Sequence, residues 1–205
     1  MPQSLAAMWR SIVLLVTLTL MACARSMQHF PLPTTQQVEE VPFFRGVSSK
    51  AQLDGYLVPS VKSRPAESDR RAISFTIEKQ GHVVTSVRCV GIARGGAAIR
   101  ELACAGDGFD LTLKETGLNA LTGTFRRKEL ALTLKSVSAA AQGGATDLAG
   151  FHVYRDAKWV ASFECFWGGR AYFSPTLSPL EREAAAVVAV AVVGTEAWLS
   201  GTNGS

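Results

Sequence analysis

Apolar and polar residues alternate with a period of two through most of the chain between residues 41 and 175. The pattern is clearest at residues 73–77, 109–113 and 130–134. Successive side chains of a β-strand point to opposite faces, so each segment presents one apolar face and one wetter face. Such segments are typical of antiparallel strands that cover a core on one side. The sequence therefore predicts a mainly β domain over residues 41–177.

Turn residues separate the alternating segments. They lie at Gln80-Gly81, at 106–108, at 126–129, at 155–158 and at Gly168-Gly169. About eight strands at spacings of about 10–15 residues predict an antiparallel meander, barrel or sandwich. No helical segment of similar strength lies between the strands, which disfavours a doubly wound α/β sheet.

The pattern changes after residue 175. Ser178 can cap a helix, Pro179 suits its first position, and Glu181 can complete a capping box. Residues 184–193 are almost wholly Ala and Val, and this run is too short to span a bilayer. We predict a helix over 178–199, packed on an apolar sheet face or at a barrel mouth, before a disordered tail over 200–205. A partner-binding or membrane-surface helix is the alternative, but the run lacks the basic residues that a surface helix carries.

The first residues have the features of an export signal. Arg10 precedes an apolar run over residues 12–21. About ten residues suit the core of a signal peptide, whereas a membrane-spanning helix needs about twenty. We therefore predict a signal peptide over residues 1–22.

The end of this run, Leu20-Met21-Ala22-Cys23, resembles the lipobox of bacterial lipoproteins. The resemblance covers residues 1–23. It implies a diacylglyceryl group on the Cys23 thiol, cleavage before Cys23 by signal peptidase II, and a further acyl chain such as palmitate on the new amino group. Two or three acyl chains give stable membrane anchoring. Because Ala24 rather than Asp follows the cysteine, the resemblance implies the outer membrane of a diderm cell, facing the periplasm or the cell surface.

Two other interpretations of this region compete. Ala22-Cys23-Ala24 also fits the pattern of ordinary signal peptidase, which would cut before Arg25 and release a soluble protein. Alternatively, Cys23 lies in an apolar segment without being modified. Residues 23–40 contain prolines and polar residues and are predicted to be a tether, unless part of them lies over the domain as an ordered arm.

Three further cysteines lie in the β region. A hairpin turn near residues 96 and 97 would place Cys89 opposite Cys104, within reach of a disulfide. Cys165 alternates with apolar residues on one strand, which predicts a buried, inert thiol. His152 is near enough in sequence to suggest a Cys/His pair, but spacing alone gives that idea little weight.

Function is the least constrained property. The net charge of +4 is scattered, which predicts no nucleic-acid partner. The three histidines lack metal-ligand spacing, and no nucleophile-elbow or nucleotide-binding motif occurs, so no metal, cofactor or catalytic group is predicted. The favoured function is a non-catalytic, membrane-anchored envelope lipoprotein that serves assembly or binds another protein. The alternative is a lipocalin-like barrel that binds an apolar ligand in the periplasm, and an enzyme is the third possibility.

Overall fold

The computed structural model describes residues 30–45, 51–67, 70–93, 99–117, 120–140, 146–165 and 169–199. The predicted signal peptide, Cys23 and the tail at 200–205 lie outside these residues. The chain forms two compact units, Met1–Pro31 and Leu32–Ser205. The fold below is that of the second unit.

Within the described residues, the second unit contains fourteen strands and one helix. The strands pair with one another in antiparallel orientation. The elements are β1 (Glu39–Pro42), β2 (Phe44–Arg45), β3 (Ala51–Leu53), β4 (Tyr56–Val58), β5 (Val61–Glu67), β6 (Arg70–Lys79), β7 (His82–Ala93), β8 (Ile99–Gly106), β9 (Phe109–Gly117), β10 (Ala120–Arg127), β11 (Leu130–Ala140), β12 (Thr146–Arg155), β13 (Lys158–Glu164), β14 (Arg170–Phe173) and α1 (Pro179–Leu199).

The strands form one sheet in the order β1-β14-β13-β12-β11-β10-β9-β8-β7-β6-β4-β3-β2, with β5 beside β6. Of the predicted meander, barrel or sandwich, the structure shows a mainly β, antiparallel barrel that is nearly closed, but the predicted count of about eight strands is wrong, because thirteen lie on this path alone. The missed strands lie mainly in residues 39–67. Strands of two to four residues, such as β1 to β4, are too short to show alternation. β1 also begins at Glu39, two residues inside the predicted tether.

The first strands close the sheet into a nearly complete barrel. β1 pairs with β14, whereas β2 pairs with β3 at the other end of the strand path. Only Phe43 separates β1 from β2, and its side chain is buried. Its backbone N–H donates to the Gly169 carbonyl over 2.9 Å, which extends the contact with the region of β14. Consecutive residues therefore join the two edges of the sheet.

Strand register sorts the residues into an inner and an outer face. One inward row consists of side chains that are directly opposite one another on six neighbouring strands and all buried: Ile73, Cys89, Cys104, Leu111, Phe125 and Leu132. Opposed residues point to the same face, so the apolar half of each alternating segment lines the interior. The period of two seen in the sequence is thus the alternation between barrel interior and solvent.

Helix α1 lies inside the barrel. Residues 184–195 are buried without interruption, and more than three turns of consecutive buried residues leave no face exposed. The helix contacts β3, β4, β6, β8 and β13, which lie on different sides of the wall. The prediction of a helix on a sheet face or at the mouth therefore missed its central position. Ala and Val give the helix a small cross-section, which suits an interior lined by Leu and Phe side chains.

Five tight hairpin turns lie at the end of the barrel where α1 begins, at residues 54–55, 80–81, 107–108, 128–129 and 156–157. We call this end the mouth. Several turn residues have positive φ, including Asp54 at 52° and Gly55 at 81°. Two-residue hairpin loops favour such conformations because their twist matches that of the flanking strands. The predicted turn at Gln80-Gly81 is one of them.

Candidate functional site

The first turn of α1 carries the predicted capping box. The Ser178 backbone N–H donates to a Glu181 carboxylate oxygen over 2.9 Å, and the Ser178 hydroxyl donates to the same oxygen over 2.6 Å. The Glu181 backbone N–H in turn lies 3.3 Å from the Ser178 hydroxyl oxygen. These bonds satisfy donors that a helix start otherwise leaves unpaired, so the local sequence fixes where the helix begins.

Three consecutive charged residues connect this first turn to the rim of the barrel. Glu181 accepts from Arg155 over 2.6 Å. Arg182 donates to Glu39 over 2.6 Å and to Asp54 over 2.9 Å. Successive helix residues project about 100° apart, so three neighbours can reach three different parts of a surrounding wall.

The third of these residues, Glu183, pairs with Arg127. The four rim partners of the helix lie at three hairpins and at the closing strand β1: Arg127, Arg155, Asp54 and Glu39. The ion pairs therefore fix both the depth and the rotation of α1 within the barrel.

Hydrogen bonds favour the ionised form of two carboxylates of this ring, Glu181 and Glu39. Hydrogen bonds from the Ser178 hydroxyl and backbone N–H, and then from Arg155, lower the pKa of Glu181 to about 2. The hydrogen bond from Arg182 lowers the pKa of Glu39. The hydrogen bonds of Glu181 and Glu39 are therefore charge-assisted, which strengthens them.

A cleft of about 350 Å³ opens at the mouth beside the start of α1. It is lined by Arg155, Asp156, Lys158, Trp159, Val160, Ser174, Thr176, Leu177 and Glu181. Arg155 and Glu181 are already paired with each other there. The cleft is thus a gap between the rim and the helix start, and the Arg155–Glu181 pair in it joins the two.

A second polar cluster lies on the outside of the wall. Ser162 on β13 contacts the His152 ring nitrogen Nδ1 over 2.8 Å and accepts from the Trp159 indole N–H over 2.8 Å. Burial lowers the pKa of His152. The Ser162 hydroxyl thus lies between the His152 imidazole and the Trp159 indole, and these contacts account for the packing of this part of the wall.

The neighbouring polar residues Glu164 and Tyr172 also have hydrogen-bond partners. The Tyr172 hydroxyl donates to Glu164 over 2.8 Å, and the Arg170 backbone N–H donates to its other carboxylate oxygen over 3.2 Å. Burial and then the bond to Glu164 raise the pKa of Tyr172. Both carboxylate oxygens therefore have structural partners.

The predicted disulfide between Cys89 and Cys104 is present. The two residues are directly opposed on β7 and β8, and their sulfur atoms are bonded. Both lie in the barrel core, at 2% and 4% exposure. The bond thus fixes the register of two central strands from inside.

Cys165 is buried in the core, as predicted. His152, by contrast, is opposite Ser162 on the outer face. The wall of the barrel therefore separates the thiol from the imidazole, and the suggested Cys/His pair does not form. Cys23, the predicted lipidation site, lies outside the described residues.

Other kinds of site are not found in the part of the chain that the structure describes. No cluster of three or more His, Cys, Asp or Glu side chains there could hold a metal ion. Among the same residues, no helix has the length and apolar character needed to cross a bilayer.

The ion-pair ring is the main feature that the sequence analysis missed. Its signal was the charged triplet Glu181-Arg182-Glu183 directly before the apolar run. A helix that is apolar on every side but charged in its first turn enters an apolar interior from a polar rim. Comparison of the sequence and fold with protein-family models, curated proteins and solved structures finds no match.

Proposed function

We propose that this chain is a lipid-anchored protein of the bacterial cell envelope whose barrel is a rigid, non-catalytic scaffold for binding another protein. The anchor would be Cys23, at the end of the lipobox-like sequence Leu20-Met21-Ala22-Cys23. The absence of Asp after Cys23 supports the outer membrane as its location. The proposal rests on this motif for the anchor and on the filled barrel for the scaffold.

The filled interior is the observation that carries the scaffold role. Twelve consecutive residues of α1, 184–195, are buried among the inward strand residues. Ion pairs at the mouth and the Cys89–Cys104 bond further fix the interior. A barrel that is packed with its own helix offers other molecules its outer wall and its rim.

The lipocalin-like alternative needs an apolar cavity of several hundred Å³ inside the barrel. The volume along the barrel axis that such a ligand would need is occupied by α1. The cleft at the mouth is lined largely by polar and charged side chains. These features favour the scaffold over the ligand-binding barrel.

Metabolic labelling with an alkyne analogue of palmitate tests the anchor. We expect the full chain to take up label and to partition into the membrane fraction, and Cys23→Ser to lose both properties. Cys165→Ser is the matched control, because it removes a core thiol and leaves the lipobox unchanged.

An unlabelled wild-type chain would overturn the anchor. Label that persists in Cys23→Ser would do the same. A mature N-terminus at Arg25, read by mass spectrometry, would instead show a protein released by ordinary signal peptidase.

A further inference from the structure

We propose that the outer wall formed by β6 to β11 is the docking surface for an acidic protein, which deepens the proposed scaffold function and rests on it. We call this surface the basic wall. It consists of three neighbouring rows of outward side chains that the strand register places side by side.

The central row of the basic wall carries no charge. Its members are directly opposed from β6 to β11: Ala72, Val90, Ala103, Thr112, Thr124 and Thr133. Val90 is 46% exposed, although its side chain is apolar. The Thr112 and Thr124 hydroxyls bond each other over 2.9 Å, which leaves their methyl groups for contact. This row is an uncharged, weakly polar strip.

Charged residues border the strip on both sides. Toward the mouth lie Arg88, Asp110 and Arg126, and on the other side lie Arg70, Glu101, Lys114 and Lys135. The described side chains of these two rows thus comprise five bases and two acids. One of the acids, Glu101, already faces Lys114 at 3.6 Å.

Basic residues continue beyond this wall on β5, where Lys62 and Arg64 are exposed. The wall formed by β12 to β14 and the closing strand β1 is different, because it carries Glu164 on β13 and Glu40 on β1, and Arg170 on β14 is already paired with Glu40 at 3.0 Å. The excess of positive charge therefore belongs to one side of the barrel. A one-sided field of this kind steers an oppositely charged partner into one orientation.

An uncharged centre with a charged border is the anatomy of a protein–protein interface. The six strands span five spacings of about 4.8 Å, or about 24 Å along the wall, which is close to the width of an ordinary interface patch. An acidic protein suits both parts of the basic wall. Its carboxylates can pair with the basic residues of the borders, and its uncharged side chains can pack on the central strip. The wall is also remote from β1, where the chain leading from the predicted anchor enters the barrel.

Photo-crosslinking in cells of the native host tests this proposal with the full chain. Benzoylphenylalanine at position 90 reports on the basic wall, and the same residue at the exposed position 52 on β3 reports on another side. We expect a crosslink from position 90 to a protein with an acidic surface, and little from position 52. Arg88→Glu with Arg126→Glu should lower the yield of the crosslink from position 90 about tenfold or more.

Lys128→Glu with Lys158→Glu is the matched control, because it makes the same charge change at the mouth, in the turn at 128–129 and at the first residue of β13, and should leave the yield unchanged. Equal crosslinking from both positions would overturn the proposal. A basic partner, or a yield that ignores the Arg88 and Arg126 reversals, would also overturn it.

Binding to phosphatidylglycerol vesicles but not to phosphatidylcholine vesicles, without a protein crosslink, would assign the wall to a membrane surface instead. Palmitate labelling of the same cells reports separately on the anchor. A loss of label with the crosslink retained would therefore refute the anchor and leave the docking surface standing.

Discussion

Arg182 and Glu39 are separated by 143 residues in the chain and joined by two hydrogen bonds of 2.6 and 2.9 Å. One residue belongs to the first turn of the central helix and the other to the strand that closes the barrel. Arg182 also lies over the Phe173 ring, 4.8 Å from its centroid. The Arg182 side chain thus connects helix α1, the closing strand β1 and β14.

Arg182→Met is expected to lower the free energy of unfolding by about 1–2 kcal/mol, because it removes a bidentate pair and a contact with Asp54. Urea unfolding measures the change. Arg170→Met is the control, since its pair with Glu40 is about half exposed on both sides and should contribute about 0–1 kcal/mol. Equal effects of the two variants would contradict a special role for Arg182.

Acid should weaken the attachment of α1. The pKa of Glu181 is lowered in the fold, so its contribution is complete above its unfolded value near 4.5 and is lost as the pH falls toward 2. We expect Glu181→Gln to lower stability at pH 7 and to reduce the further loss between pH 7 and pH 3. Unfolding midpoints at the two pH values give the comparison. An unchanged acid dependence in Glu181→Gln would assign it to other carboxylates.

Gly123 on β10 is expected to tolerate no side chain. A Cβ there would lie 2.2 Å from the Thr112 carbonyl oxygen and 2.5 Å from a Leu113 methyl group. Gly123→Ala should therefore destabilise the barrel by about 2–4 kcal/mol, since the backbone of β9 must move. Gly117→Ala is the matched control, because its nearest neighbour would be 4.0 Å away. Thermal unfolding that shifts equally in both variants would contradict this packing.

Gly194 in α1 is expected to behave in the opposite way. A Cβ there would lie 3.5–3.8 Å from methyl groups of Val58 and Val61, which is ordinary contact. Gly194→Ala should stabilise the protein by about 0.5–1 kcal/mol through helix propensity, whereas Gly194→Leu should overpack the interior and destabilise it by about 1–3 kcal/mol. A stabilising Leu would show that the helix has free space around it. Denaturant unfolding of the wild type, Gly194→Ala and Gly194→Leu measures the three free energies of unfolding.

The disulfide should contribute about 3 kcal/mol, because it closes a loop of fifteen residues in the unfolded chain. Cys89→Ala with Cys104→Ala is expected to lose this stabilisation, measured by denaturant unfolding. Peptide mapping without reduction should recover the two cysteines as one crosslinked pair. A link from either of them to Cys165 would contradict the assignment.

The parts of the fold that could be predicted are those with a local signal. Alternation over 73–77 and 109–113 defined strands, and Ser178 with Glu181 defined the helix start to within a residue. The Cys89–Cys104 pairing followed from the symmetry of one hairpin. Each of these signals lies within about twenty residues of sequence.

The rest depends on long-range closure, which no local window contains. Nothing near residues 39–45 shows that they bridge the two edges of a sheet: the partner of β2 is nearby at residue 51, but the partner of β1 lies at residue 173. The position of α1 inside the barrel was missed for the same reason. The run of Ala and Val does show that the helix is buried on all sides, but not which strands surround it.

The pairing of β1 with β14 places residues 43–169, more than half of the polypeptide, between two adjacent strands. A ladder of this kind cannot form until the ribosome has released most of the chain, and its loop-closure entropy makes folding slow. Closure of the barrel therefore completes only after residue 173 has been synthesised, as a late step of folding.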